Sequence, residues 1–225
     1  MIAPRSSASG AGSADGSRAV ILGRVRSAGA QFRPPTVERH YRHADHDLQP
    51  ATPEILEQFV DRLVDYKAVA VVCPVDDIAT QIGQFLDQER ARRVVVPDGL
   101  PSGWLPGGPE ERPWLGDDPP LSVDELDQVD GVITGCAVAV AETGTIVLDG
   151  GEGQGRRVLT LLPDLHVVVV PAARLVARVP DALVRLEPTR PLTWISGPSA
   201  TSDIELNRVE GVHGPRRLRV VVATA

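Results

Sequence analysis

The 225-residue chain has a single lysine, Lys67, and only two cysteines, Cys73 and Cys136. With lysine so scarce, arginine carries nearly all the positive charge, and any clamp for a phosphate or carboxylate would be a planar guanidinium. The cysteines stand far apart and form no C-x-x-C pair, so neither a zinc site nor an iron–sulfur cluster can be built from this chain's cysteines alone. Both fall in or beside apolar runs, "VAVVCP" and "ITGCAVAV", and read as buried free thiols of a reducing, cytoplasmic compartment. Net positive charge is missing too. A formal net charge of -7 and a pI of about 5.2 argue against a nucleic-acid partner or an anionic-membrane surface, which need a concentrated basic patch. No apolar run reaches the length of a transmembrane helix, so no membrane insertion is expected. The opening "MIAPRSSASGAGSADGS" lacks the apolar stretch of a signal peptide, and residues 1–17 are expected to be a disordered leader.

With 42% hydrophobic residues the chain can fill one sizeable core. One domain is expected over 18–225, with a helix and an extended arm across 18–50. Ser17 to Gly29 has a serine start, apolar Val20, Ile21, Leu22 and Val25, and a glycine end, which reads as a short amphipathic helix. The arm "QFRPPTVERHYRHADHD" holds two prolines and His40, His43 and His46. Their spacing by three could place them on one helix face as metal ligands, but the polar flanks and the lack of H-E-x-x-H favour a solvated arm, and no metal site is assigned.

Thr52 and Pro53 cap and start an amphipathic helix carrying Ile55, Leu56, Phe59, Val60, Leu63 and Val64. Ala68 to Cys73 is a continuous apolar run of the kind that suits a strand covered on both faces. "VDDIATQIGQFLDQER" reads as a helix and "RRVVVP" as a buried strand. The glycine- and proline-rich stretch 100–120, with two tryptophans, reads as a lid or as a variable surface loop. A short capped helix follows from Ser122, then strands on either side of Glu142-Thr143-Gly144-Thr145, a buried strand "HVVVVP", a helix "PDALVRL", a strand "LTWIS" and a closing strand. Helices alternating with buried strands indicate an open α/β sheet, in which ligands bind at the carboxyl ends of strands.

Three features supply candidate site residues. Glu142, Thr143, Gly144 and Thr145 interrupt a buried strand with a carboxylate, which is either a tight hairpin with Glu142 in water or a functional carboxylate. "ISGPSATSDIE" places Gly197 and Ser199 ahead of a helix expected to be capped by Thr201 or Ser202, whose N-terminal amides could hold an anion, with Asp203 and Glu205 in its first turns. His213 sits between glycines on a turn, placed to titrate or to hydrogen-bond across a cleft. "GGEGQGRR" fits neither phosphate-loop spacing and reads as a flexible turn whose Arg156 and Arg157 could still face an anion.

The blocks "ITGCAVAVAETGTIVLDGGEGQGRRVLTLLPDLHVVVVP" and "TWISGPSATSDIELNRVEGVHGPRRLRVVV" resemble the lactate utilization protein C family, whose shared region is the LUD domain. The resemblance runs over roughly the last hundred residues. It implies the fold of ribose-phosphate isomerases, glucosamine-phosphate deaminases and CoA transferases. It also implies a place in a system oxidising L-lactate to pyruvate beside iron–sulfur protein subunits, this chain having no cofactor of its own.

The expected site therefore comprises Glu142, His213 and Asp203 as catalytic groups, with Thr143, Gly144, Thr145, Gly197, Ser199 and Glu205 around a small carboxylate or phosphate. Two other readings stand beside it: an enzyme acting alone on a small carboxylate, phosphosugar or CoA ester, with Glu142 as nucleophile, and a structural subunit with a vestigial cleft.

Overall fold

A computed structural model describes residues 14–29, 36–44, 51–107, 113–201, 209–210 and 214–225. The chain forms two compact units, Met1–Tyr41 and Arg42–Ala225, so the boundary falls inside the histidine-bearing arm. The first unit contains α1 (Ala14–Gly29), on which Val20, Ile21, Leu22 and Val25 are all exposed. Residues 36–44 contain no helix. The spacing of His40 and His43 therefore produces no shared helical face, and His46 lies outside the described residues.

In the second unit, α2 (Pro53–Asp65) starts as its residues dictate: Thr52 accepts a hydrogen bond from the Ile55 amide, Pro53 occupies the first turn, and Phe59 and Leu63 are buried. It ends with the Ala68 amide on the Leu63 carbonyl and the Lys67 amide on the Val64 carbonyl, with Lys67 left-handed at φ 71°. This is the Schellman closure, in a position that glycine usually holds.

From Lys67 the chain enters β1 (Val69–Pro74), then α3 (Ile78–Gln88), β2 (Val94–Val95), β3 (Trp114–Leu115), α4 (Val123–Asp127) and β4 (Gly131–Thr134). Ser122 and Glu125 close a reciprocal capping box at the start of α4. The central strand β7 (Leu165–Pro171) and the closing strand β12 (Arg217–Thr224) complete a six-stranded sheet in the order β1-β12-β7-β4-β2-β3, with every pairing parallel. The open α/β sheet expected from the sequence is thus present.

Strand alternation decides what each face of this sheet meets. Val167, Val169 and Val221 pack with Ile78, Ile82, Phe85 and Leu86 of α3. Trp104 and Trp114 from the 100–120 stretch pack against the same cluster, so both tryptophans extend the core. Val168, Val170, Val220 and Val222 point the other way, onto Phe59 and Leu63 and onto a second sheet. That sheet comprises β5 (Val138–Val140), β6 (Thr145–Leu148), β8 (Leu175–Val176) and β9 (Thr193–Ile195), in the order β8-β5-β6-β9. Its outer face carries Val138, Val140, Val147 and Val176 against Ala182 of α5 (Val179–Leu183) and Leu186. The two cysteines lie on opposite faces of the parallel sheet, Cys136 in one cluster and Cys73 in the other.

Two expectations change. The run at β1 is not covered on both sides: β1 is an edge strand, and Val69 and Val72 are exposed. Thr201 does not cap a helix. It belongs to β10 (Ala200–Thr201), which pairs antiparallel with β11 (Val209–Glu210), so the chain leaves Ser199 as a strand.

Candidate functional site

Two adjoining cavities lie where the second sheet meets the loops of the first. The outer one, of about 660 Å³, is bounded by Pro97 and Asp98 beyond β2, Asp117 beyond β3, the loop from Asp149 to Arg157, and Arg190 ahead of β9. The inner one, of about 240 Å³, reaches His166 and Leu218 at the amino ends of β7 and β12. Arg157, Thr160 and Thr193 line both, so the two share one wall.

The loop "DGGEGQGRR" is held in shape by its own polar groups. Gln154 is buried; its side-chain oxygen accepts from the Asp149 amide at 2.7 Å and its side-chain nitrogen donates to Asp149 Oδ1 at 2.8 Å. The Gly151 amide and Arg190 Nη1 complete the Asp149 carboxylate at 3.0 and 2.8 Å. Burial works to raise the Asp149 carboxyl, but the bonds from Arg190, Gly151 and Gln154 outweigh it and hold the group below the usual carboxylate range. Across the opening, Arg156 grips Asp117 through two bonds, Nε to Oδ2 at 2.6 Å and Nη2 to Oδ1 at 2.8 Å, and this lowers the Asp117 carboxyl. Two of the three arginines of the outer cavity are therefore neutralised by aspartates.

Arg157 is different. Its guanidinium donates to Thr193 Oγ1 and makes no ion pair among the described residues. Among the described residues that line the inner cavity it is the only arginine or lysine, and none of them is a carboxylate. Thr160, Thr193, Trp194, Ser196 and Ser199 line the cavity with it. At the inner wall His166 is fully buried, and Nε2 lies 2.7 Å from Thr134 Oγ1 on β4. Burial pushes the imidazole down to about 4, so it is uncharged at neutral pH. One fixed cation, several hydroxyls and a neutral imidazole form a pocket suited to a small monoanion.

The structure separates the residues singled out in the sequence. Gly197 and Ser199 line the inner cavity, and the Ser199 amide donates to the Pro215 carbonyl at 2.8 Å. Glu142, Thr143, Gly144 and Thr145 line neither cavity. They form the turn of the β5–β6 hairpin, in which Val140 pairs with Thr145. The Glu142 carboxylate takes a 2.8 Å bond from Arg42 Nη1, and a chain of hydroxyls runs from Thr143 through the buried Thr145 to Ser196 at 2.7 Å per link. Gly144 and Gly197 owe their identity to close packing. Both are left-handed, at φ 58° and 84°, and an added Cβ would stand 2.8 Å from Arg62 Cβ and 2.6 Å from Tyr66 Cβ respectively. Asp203, Glu205 and His213 lie outside the described residues.

Sequence reasoning passed over His166, Asp149, Gln154 and Arg190. His166 did leave a mark, a lone imidazole at the head of "HVVVVP", a strand otherwise wholly apolar. Arg190 gave no local mark, because its partner Asp149 is 41 positions away.

Comparison with known proteins identifies the family to which the chain is similar. The LUD domain model matches residues 123–223, which include both arginines of the loop, His166 and the inner-cavity residues from 193 to 218. Lactate utilization protein C of Deinococcus radiodurans is 51% identical over 173 residues, covering 75% of this chain and 79% of that protein. Lactate utilization protein C of an Exiguobacterium species is 30% identical over 203 residues, 85% and 88% of the two chains. Among solved structures, a DUF162 family protein from Deinococcus radiodurans is similar at a TM-score of 0.64 and 42% identity, covering 76% of this chain and 96% of that one.

Proposed function

The chain belongs to the lactate utilization protein C family, built on the LUD domain, and on that premise we propose that it serves, in the cytoplasm, the oxidation of L-lactate to pyruvate beside iron–sulfur proteins, holding a small carboxylate at Arg157. The observation that carries this reading is the Arg157 guanidinium, without an ion pair among the described residues, in a cavity of about 240 Å³ lined by threonines and serines. That volume is below the range of drug-sized sites. A carboxylate would take two parallel bonds from the guanidinium fork, and a hydroxyl or keto oxygen on the neighbouring carbon would meet Thr160, Thr193, Ser196 or Ser199. His166 adds polarity at the wall without a second charge.

The thiols support placing the electron-carrying cluster on a partner: Cys73 and Cys136 are buried and stand in separate core clusters. The alternative with Glu142 as a nucleophile gains no support from the geometry, since Arg42 engages that carboxylate and neither cavity reaches it.

The test is calorimetric titration of the full chain with L-lactate and pyruvate, alongside growth on L-lactate of cells lacking the gene and complemented with wild type or Arg157→Gln. Removal of one charged hydrogen-bonding partner should weaken binding by about tenfold to a hundredfold and slow growth while the fold is kept. Growth of Arg157→Gln cells at the wild-type rate, with no binding of either acid by the wild type, would favour a structural subunit with a vestigial cleft.

A further inference from the structure

The parallel sheet has two unlike edges. One is β3, two residues long and preceded by Pro113. The other is β1, six residues long, which pairs with β12 on one side and with no strand on its other side among the described residues. Parallel sheets are ordinarily covered, and a long apolar edge is a template for another strand. This edge is apolar well beyond the strand: Val64, Tyr66, Val69, Val72 and Val75 are 41 to 53% exposed.

Charge at the two ends of β1 is opposite. Lys67, the chain's single lysine, is exposed two residues before the strand, and Asp76 and Asp77 are exposed just after it. None of these three side chains has an ion pair or hydrogen-bond partner among the described residues. A strand with a cation at its start and anions at its end is complementary to itself when reversed. A register that sets Val72 of one copy opposite Val72 of another brings Lys67 of each to the end of the strand where Asp76 and Asp77 of the other stand, and a two-fold axis makes the contact twice. Pairing in the parallel sense would instead put lysine beside lysine. A lipid surface is a poor occupant, because Asp61, Asp65, Asp76 and Asp77 surround the apolar strip.

We propose that β1 is the seam of a homodimer, paired antiparallel with β1 of a second copy, Lys67 of each against the Asp76–Asp77 end of the other. The two six-stranded sheets then run on as one, and the exposed valines of the two edges cover each other.

Sedimentation velocity of the full chain over a wide concentration range tests this. The wild type should dimerise. Lys67→Glu and Asp76→Lys, each turning two attractions into two repulsions, should raise the dimer Kd about tenfold or more. Joining Lys67→Asp to Asp76→Lys should restore dimerisation, and Val72→Lys should abolish it with the far-ultraviolet circular dichroism unchanged. A wild type monomeric at every concentration, or a dimer unmoved by all three single changes, overturns the proposal. So does a monomer that captures a different protein and loses it in Val72→Lys, which would assign the edge to that protein.

Discussion

His166 Nε2 and Thr134 Oγ1 lie 2.7 Å apart across neighbouring strands of the parallel sheet, and both side chains are fully buried. The folded imidazole titrates at about 4 against an ordinary 6.5. Between those values the unfolded chain binds a proton that the folded chain does not, so stability is complete above pH 6.5 and falls as the pH drops toward 4. The full loss is on the order of 3 kcal/mol. Asp117, Asp149 and Asp164 are shifted downward, as are the exposed Glu54 and Glu125, so their contributions begin to fade once the pH enters the ordinary carboxylate range. Urea unfolding between pH 7 and about 5 therefore precedes the carboxylates. The slope should disappear in a Thr134→Val, His166→Leu double variant, and an unchanged slope there would assign it to other groups.

Glu142 and Arg42 form a partly exposed pair at 2.8 Å. Such pairs contribute about 0 to 1 kcal/mol. Glu142→Gln should lower stability by no more than that and leave the binding of L-lactate or pyruvate unchanged. Loss of binding in a folded Glu142→Gln protein would return this carboxylate to the site.

Gly197→Ala should destabilise by about 1 to 3 kcal/mol, through left-handed strain and collision with Tyr66. Gly103→Ala is the control. Nothing lies within 4 Å of its added methyl group, and the effect should stay within about 0.5 kcal/mol.

The Cys136 thiol is pushed up to about 12 by burial, and Cys73 is raised by burial and then by Asp77. At pH 8 Cys136 of the folded protein should react with a thiol-specific disulfide reagent on the order of a thousandfold more slowly than an exposed cysteine, and Cys73 more slowly than an exposed cysteine, with both thiols released by denaturant. Rapid reaction of Cys136 in the folded state would contradict its burial.

What was legible in the sequence was local. Thr52 and Pro53 announce α2, Ser122 and Glu125 announce α4, and the valine runs announce β7 and β12, because caps and apolar runs act within a few residues. Cover is not local. "VAVVCP" and "VVVVP" look alike as strings, yet one is an edge and the other the middle of a sheet, a difference fixed by strand order. Glu142 in a buried run signalled an interruption, and the tight hairpin weighed for it is the one formed, but its bond from the arm's Arg42 spans 100 positions. The site was partly legible for the same reason. Gly197 and Ser199 were singled out as the approach to a helix N-terminus where β10 stands instead, whereas the Asp149–Arg190 tie and the bond from Arg157 to Thr193 exist only once distant loops are brought together.

Tyr66 stands with its backbone and Cβ against Gly197, a wall of the inner cavity, while 43% of the residue faces solvent beside β1. One residue thus touches both Gly197 of the cavity wall and the sheet edge. An occupant of the cavity and an occupant of the edge that both moved Tyr66 would each be felt by the other in equal measure, since a coupling free energy belongs to both alike.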